Sequence, residues 1–194
     1  MADIWVTSDT HFNHANILTF TDFSGNKVRD FASVTEMNEI MIQRWNENVK
    51  ICDKIYHLGD VFFGSKIWIE QNWHRLNGKK RLIVGNHDNI SYIVEKRMFE
   101  KVDMWRMFPD LNLLLTHVPV HESVLGERRF KGTPMTNVHG HIHSNVSPAG
   151  NYRCVCVEQT DYRPLNIDEL RKESLLNAEE NRIKALRIEH GVYT

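Results

Sequence analysis

The sequence predicts an α/β domain, and three observations carry that prediction. Short apolar runs of strand length alternate with longer amphipathic stretches. The 194 residues are enough for one medium domain and too few for two comfortable ones. No internal repeat, low-complexity tract or Pro/Gly/Ser-rich linker divides the chain. The later part of the chain leaves room for an antiparallel portion.

The elements follow in order. Residues 4–7, 54–58, 81–84, 111–116 and 136–138 are read as strands from their β-branched or bulky content and their length. Residues 154–157 are read as another, with Val155 and Val157 on one face and the thiols of Cys154 and Cys156 on the other. Between the first two strands Ser33 and Glu36 form a capping box. Val34, Met37, Met41, Trp45 and Val49 then recur at helical spacing. Residues 67–76 and 90–97 are shorter helices. Pro164 precedes a last helix that Asn166 would cap, with Glu169 at the third position. Leu170, Leu176, Ile183 and Leu186 give that helix an intermittent apolar stripe. The domain body is therefore placed at 1–165 and a C-terminal helix at 166–194. That helix belongs to the same domain or docks on it; an oligomer contact or a partly free helix would give the same pattern.

Composition excludes several classes. Apolar residues at 41% and charged residues at 25% describe an ordinary globular chain rather than a disordered one. A net charge of −1 argues against a nucleic-acid coat protein, whose affinity comes from a basic excess. Three cysteines without a Cys-x-x-Cys pair exclude a disulfide framework and a four-thiolate zinc site. They read as small fillers in a reducing cytosol. No signal peptide is read in residues 1–8, and no run reaches the ~18 apolar residues of a membrane helix, so a cytoplasmic protein without membrane contact is expected. Eleven histidines against three cysteines favour metal chemistry through oxygen and nitrogen.

Five of the predicted strands end on metal-competent side chains. The first leads into Asp9-Thr10-His11, the second into Gly59-Asp60 and the third into Gly85-Asn86-His87-Asp88. The fourth leads into His117 and the fifth, through His139-Gly140, into His141-Ile142-His143. The carboxyl ends of strands are where open α/β sheets keep their ligand crevice. Gly59, Gly85 and Gly140 permit sharp exits beneath such a site. Asp9, Asp60, Asn86, His11, His117, His141 and His143 are too many ligands for one tetrahedral ion. With Asp60 as a bridge, each of two cations would receive four. Two carboxylates facing two dications leave a positive pit suited to phosphate. Ions about 3.5–4 Å apart can clamp both oxygens of an in-line displacement.

These blocks, in this order over residues 9–143, resemble the calcineurin-like metallophosphoesterase superfamily. The opening Asp-Thr-His-Phe-Asn-His-Ala-Asn-Ile and the later Asp161-Tyr162-Arg163-Pro164 are similar to its small single-domain bacterial and phage members. The resemblance implies a four-layer α-β-β-α sandwich with two mixed β-sheets, the metals at one edge, and 1–165 as the metallophosphoesterase domain. It implies a first metal on Asp9, His11, Asp60 and His143 and a second on Asp60, Asn86, His117 and His141. His87 would face the substrate, stabilising the phosphoryl group or protonating the leaving oxygen. Asp88 would orient that imidazole and raise its basicity. The implied activity is phosphatase or phosphodiesterase hydrolysis of a small phosphate monoester or diester, by attack of a metal-bridging hydroxide without a covalent intermediate. Manganese leads the metals, with nickel, iron and zinc also suited to the donors. The alternatives are a nuclease or cyclic-nucleotide phosphodiesterase of the same superfamily, with nucleic acid only as substrate, and a non-catalytic metal-bearing scaffold.

Other polar residues are weighed against ordinary structural roles. Asn13 and His14 are either substrate contacts or loop caps, and His121 is a weaker candidate of the same kind. His139 shares a strand with the ligands and reads as buried or supporting them; His57 reads as a packed strand residue. His74 and His190 read as solvated helix residues. Arg128 and Arg129, with Lys131, would steer an anionic substrate, whereas Lys79-Lys80-Arg81 reads as a solvated strand entrance. The five tryptophans, Trp105 among them, read mostly as core or helix-face residues.

Overall fold

The computed structural model describes residues 2–22, 24–126 and 135–189. In chain order its strands are β1 (Ile4–Thr7), β2 (Lys54–His57), β3 (Lys79–Ile83), β4 (Lys101–Asp103), β5 (Trp105–Phe108), β6 (Leu113–Thr116), β7 (Thr136–His139), β8 (Tyr152–Cys154) and β9 (Leu165–Asn166). The helices are α1 (Val34–Asn48), α2 (Lys66–Asn72), α3 (Ile90–Glu95) and α4 (Ile167–Glu189). The strands form two mixed sheets. The first has the order β4-β3-β2-β1-β9, parallel except for β9. The second has the order β5-β6-β7-β8, parallel except for β5.

The sheets face each other because alternate strand residues are apolar on the facing sides. Val6, Tyr56, Leu58 and Ile83 from the first sheet pack against Leu113, Leu115, Val138 and Val155 from the second. Ile55 points the other way and meets Met37, Met41 and Trp45 of α1 and Ile69 of α2. The predicted capping box starts α1: the Ser33 hydroxyl accepts from the Glu36 N–H at 3.1 Å. The Glu36 carboxylate reaches back one residue further than a standard box, accepting from the Ala32 N–H at 2.6 Å. The C-terminal helix starts as expected, with the Asn166 amide oxygen accepting from the Asp168 N–H at 2.9 Å. Its first turns close the inter-sheet core through Ile167 and Leu170, and Ser174 bonds Thr136 at 2.6 Å. Leu176 and Ile183, further along the same stripe, are exposed.

One predicted strand is corrected. Residues 154–157 are not a single strand: β8 ends at Cys154, and Val157 begins a 3-10 turn. Here the chain crosses from one sheet to the other. The Val155 N–H bonds His139 O in the second sheet at 2.8 Å, and the Val157 N–H bonds Ser8 O beside the first at 3.2 Å. Val155 consequently packs between the sheets while Val157 packs under α1, not on one common face. All four residues are buried, which is why the run looks like a strand. Strands β4, β5 and β9 have no counterpart among the expected strands: β4 and β5 are short and half exposed, and β9 is two residues long.

Candidate metal centre

The parallel strands β1, β2 and β3 and the pair β6 and β7 end at the same edge of the sandwich. Backbone hydrogen bonds tie their exits together: Asp9 N–H to Gly59 O at 3.0 Å, His11 N–H to Asp60 O at 3.0 Å, and Gly140 N–H to His117 O at 2.8 Å. The turns are sharp. Asp9, His11, Asn13, Asp60, His141 and His143 have φ of 55°, 44°, 64°, 57°, 71° and 51°. Residues with a Cβ avoid this left-handed region at a cost of roughly 1–2 kcal/mol each. That five of the seven predicted ligands occupy it indicates strain held for the sake of the site. Gly140 is required by close approach, since a Cβ there would collide with the Ser8 hydroxyl and the Asp9 carboxylate.

The side chains converge in two groups, Asp9-His11-His143 and Asp60-His117-His141, each with its donor atoms within 4.8 Å of one another. Asp60 Oδ2 lies between the groups, 3.6 Å from His11 Nε2 and 3.7 Å from His117 Nε2. Asn86 joins the second group, its amide oxygen 2.8 Å from His117 Nε2. The seven residues are thus brought together at one edge, as two adjoining groups with Asp60 between them.

The residues fit divalent cations on two grounds. Asp9 Oδ1 and His11 Nε2 are buried without a hydrogen-bond partner, 3.9 Å apart, which is costly unless a cation joins them. The second ground is tautomeric. His117 Nδ1 lies 2.7 Å from the Leu58 carbonyl, which only accepts, so Nδ1 carries the proton. In the neutral ring Nε2 is then a lone-pair acceptor facing the Asn86 oxygen, a contact that a shared cation reconciles.

The ligands are held from behind. Asp9 Oδ2 accepts from the Ser8 hydroxyl, the Cys156 thiol at 3.2 Å and the His141 N–H at 2.8 Å, which turns Oδ1 toward the centre. Asp60 Oδ1 accepts from the His87 N–H at 2.8 Å, leaving Oδ2 free between the groups. His143 Nδ1 bonds Glu158 Oε1 at 2.8 Å, and Glu158 pairs with the fully buried Arg29 at 2.7 Å. Arg29 also donates to the carbonyls of Thr10 at 2.8 Å and Asp9 at 2.5 Å. Burial raises the Asp9 pKa above the usual carboxylate range. Burial, reinforced by Arg29 and His143, pushes the His11 imidazole far down. His143 is raised, because burial is outweighed by its hydrogen bond and charge contact with Glu158. Glu158 is lowered: against its burial stand the charge of Arg29 and the bond to His143.

The remaining predicted residues divide. His87 is exposed at the mouth, its ring centroid 5.9 Å from His11 and 5.6 Å from Phe63. His14 stacks on Phe63 at 4.3 Å and lies 5.6 Å from His11, so it lines the same mouth. Asn13 has its backbone N–H bonded to Asn38 Oδ1 at 3.0 Å, which anchors the loop. The role expected of Asp88 is corrected. Its oxygens accept from the N–H groups of Gly85 at 2.8 Å, Val61 at 3.0 Å and Asp60 at 3.1 Å, so it staples two ligand loops instead of orienting the His87 ring. Arg128, Arg129 and Lys131 lie outside the described residues, as does His190. His121 caps the turn Glu122–Val124. His139 is buried with both nitrogens engaged, by Gly140 O and Ser147 Oγ. His57 is buried against Thr10 Oγ1 at 2.9 Å, and His74 is exposed. Lys80 is half buried over the Trp73 ring at 5.3 Å rather than solvated, and Trp105 is exposed rather than in the core.

Sequence reasoning missed Arg29, Glu158 and Phe63. Glu158 had a usable signal, since it directly follows the apolar run 154–157 as the ligands follow theirs. Arg29 had none, lying in a loop 129 residues from its carboxylate partner.

Comparison with known proteins agrees with this geometry. A family model described as calcineurin-like phosphoesterase matches residues 2–190. An uncharacterized protein of Methanocaldococcus jannaschii is 32% identical over 177 residues, spanning 87% of this chain and 89% of its own. The gene 66 protein of Mycobacterium phage D29 is 25% identical over 170 residues, spanning 75% and 81%. The crystal structure of a protein of unknown function from Aquifex aeolicus superposes with a TM-score of 0.66 at 27% identity, covering 89% of this chain and 99% of that one. Among the described residues no helix is long and apolar enough to cross a membrane.

Proposed function

Because the chain belongs to the calcineurin-like phosphoesterase family, we propose that its two ligand groups hold a pair of divalent cations and that it hydrolyses a small phosphate monoester or diester. The observation that carries this reading is the position of Asp60 Oδ2, 3.6 Å from a ligand nitrogen of one group and 3.7 Å from one of the other. A carboxylate oxygen so placed would be shared by both cations. When bound, the cations would supply an activated water-derived nucleophile and neutralise charge on the phosphoryl oxygens.

The chain's own residues supply the rest. The His87 N–H fixes Asp60 Oδ1, so the exposed imidazole is delivered to the mouth by the same loop that sets the shared carboxylate. From there it can donate to a phosphoryl oxygen or return a proton to the leaving oxygen. His14 and Phe63 narrow the mouth beside it. Donors of oxygen and imidazole nitrogen suit manganese, iron, nickel and zinc, and manganese is the first to test.

The test is turnover of p-nitrophenyl phosphate and bis-p-nitrophenyl phosphate with added manganese, nickel or zinc. Wild type is expected to turn over at least one of them. Asp60→Asn and His87→Ala should each lose about 100-fold or more. No turnover with any metal, or equal rates in wild type and variants, would overturn the proposal.

A further inference from the structure

Beside the metal centre lies an apolar groove that the chemistry above does not use. It encloses about 660 Å³ on the outer face of the second sheet. Alternation on β5 and β6 places Trp105, Met107 and Leu114 on this face, while Phe108, Leu113 and Leu115 turn inward. Met104, Val118 and Val124 complete its walls. Met104 is 68% exposed, Trp105 57% and Val124 58%, an unusual concentration of large apolar side chains in water.

Among the described lining residues, polarity is confined to one end. The His117 ring is, among the described residues, the one ionisable side chain that lines the groove. The Thr116 hydroxyl is already used, donating to Val118 O at 2.6 Å and accepting from Asn137 Nδ2 at 2.8 Å. The polar end consists of Asn86 and His117, both members of the second ligand group. A molecule filling the groove therefore has an apolar body and a head that reaches the cations. The hollow on the other side of the centre, about 310 Å³ beside His143, carries the Asp22 carboxylate and matches such a body less well.

We propose that this groove seats the apolar substituent of the phosphate ester, making the protein selective for esters of aliphatic or aromatic alcohols over those of sugars. The inference rests on the phosphoesterase reading and adds its substrate class.

Calorimetric titration of the manganese-loaded protein with ethyl-, butyl- and hexylphosphonate tests it without requiring turnover. A fully buried methylene is worth about fourfold in affinity; in an open groove about threefold each is expected, placing hexylphosphonate on the order of 80-fold tighter than ethylphosphonate. Trp105→Ala and Val118→Asp should each collapse that ratio toward one. Equal affinities along the wild-type series would overturn the groove while leaving phosphonate binding, and the centre, in place. A ratio that survives both substitutions would overturn it too, by placing the chain elsewhere. If the series is flat and Trp105→Ala converts a dimer to a monomer on gel filtration, the groove holds a second copy and the proposal fails. Absence of binding even by ethylphosphonate would remove the phosphoryl site and the groove's role together.

Discussion

Glu158 Oε1 bonds His143 Nδ1 at 2.8 Å and, from the same oxygen, Arg29 at 2.7 Å. A carboxylate behind a ligating imidazole fixes which nitrogen carries the proton and makes the other a better donor. Glu158→Gln keeps an acceptor for Nδ1 and removes the charge. Manganese affinity, measured by calorimetry, is expected to fall about 10-fold, and Glu158→Ala toward 100-fold. An affinity within twofold of wild type in both would show that the contact does not support the ligand.

Arg29 joins this carboxylate to the first ligand loop through the carbonyls of Asp9 and Thr10. Arg29→Met would leave Glu158 charged and buried, with two carbonyls unbonded. Breaking one side of a buried pair costs about 3–5 kcal/mol, whereas replacing both sides with apolar groups costs much less. Urea unfolding should therefore show a large loss in Arg29→Met and partial recovery when Glu158→Leu is added. A double variant less stable than the single one would contradict this account.

Much of the candidate centre was legible because its residues follow strand ends, where local sequence sets both position and direction. Asp9, Asp60, Asn86, His117 and the His141–His143 pair all reach the centre from strand ends. What was not legible depends on contacts between distant segments. Asp88 resembles a partner for its neighbour His87, yet three backbone N–H groups from two loops claim its oxygens. The run 154–157 has strand composition because it is buried throughout, but its neighbours belong to two different sheets. Trp105 looks like a core residue by type, and only the sheet's outer face reveals it as exposed.

Gly59 separates backbone strain from collision. Its φ is +96°, and a Cβ there would strike the Gly85 backbone and lie 2.8 Å from His117 Nδ1. Gly25, at φ +82°, has nothing within 4 Å of the same position. Gly25→Ala should thus cost about 1 kcal/mol, the left-handed penalty alone. Gly59→Ala should cost about 3 kcal/mol or more and weaken metal binding by displacing the His117 ring. Similar losses in the two variants would mean that the crowding at Gly59 relaxes freely.

His57 links stability to acidity. Its ring is buried against Thr10 Oγ1, and burial, reinforced by the nearby His117, lowers its pKa to about 3. In the unfolded chain an ordinary histidine titrates near pH ~6.5, so between those values the unfolded state binds more protons than the folded one. Its contribution is therefore fully present above about pH 6.5 and is lost as pH falls toward 3, at roughly 1.4 kcal/mol per pH unit. Other buried groups titrate in the same range, Asp9 in the opposite sense because its folded pKa is raised. The informative quantity is thus the difference between wild type and His57→Gln, measured by urea unfolding with metal removed by a chelator. Near pH 8 the variant should be less stable by the packing and the Thr10 bond it disturbs. On acidification from about pH 6.5 the gap should narrow at close to the stated slope, because only the wild type must hold an uncharged imidazole in the core. A gap that stays constant down to pH 4 would show that His57 is protonated in place, and the buried site would then have to accommodate its charge.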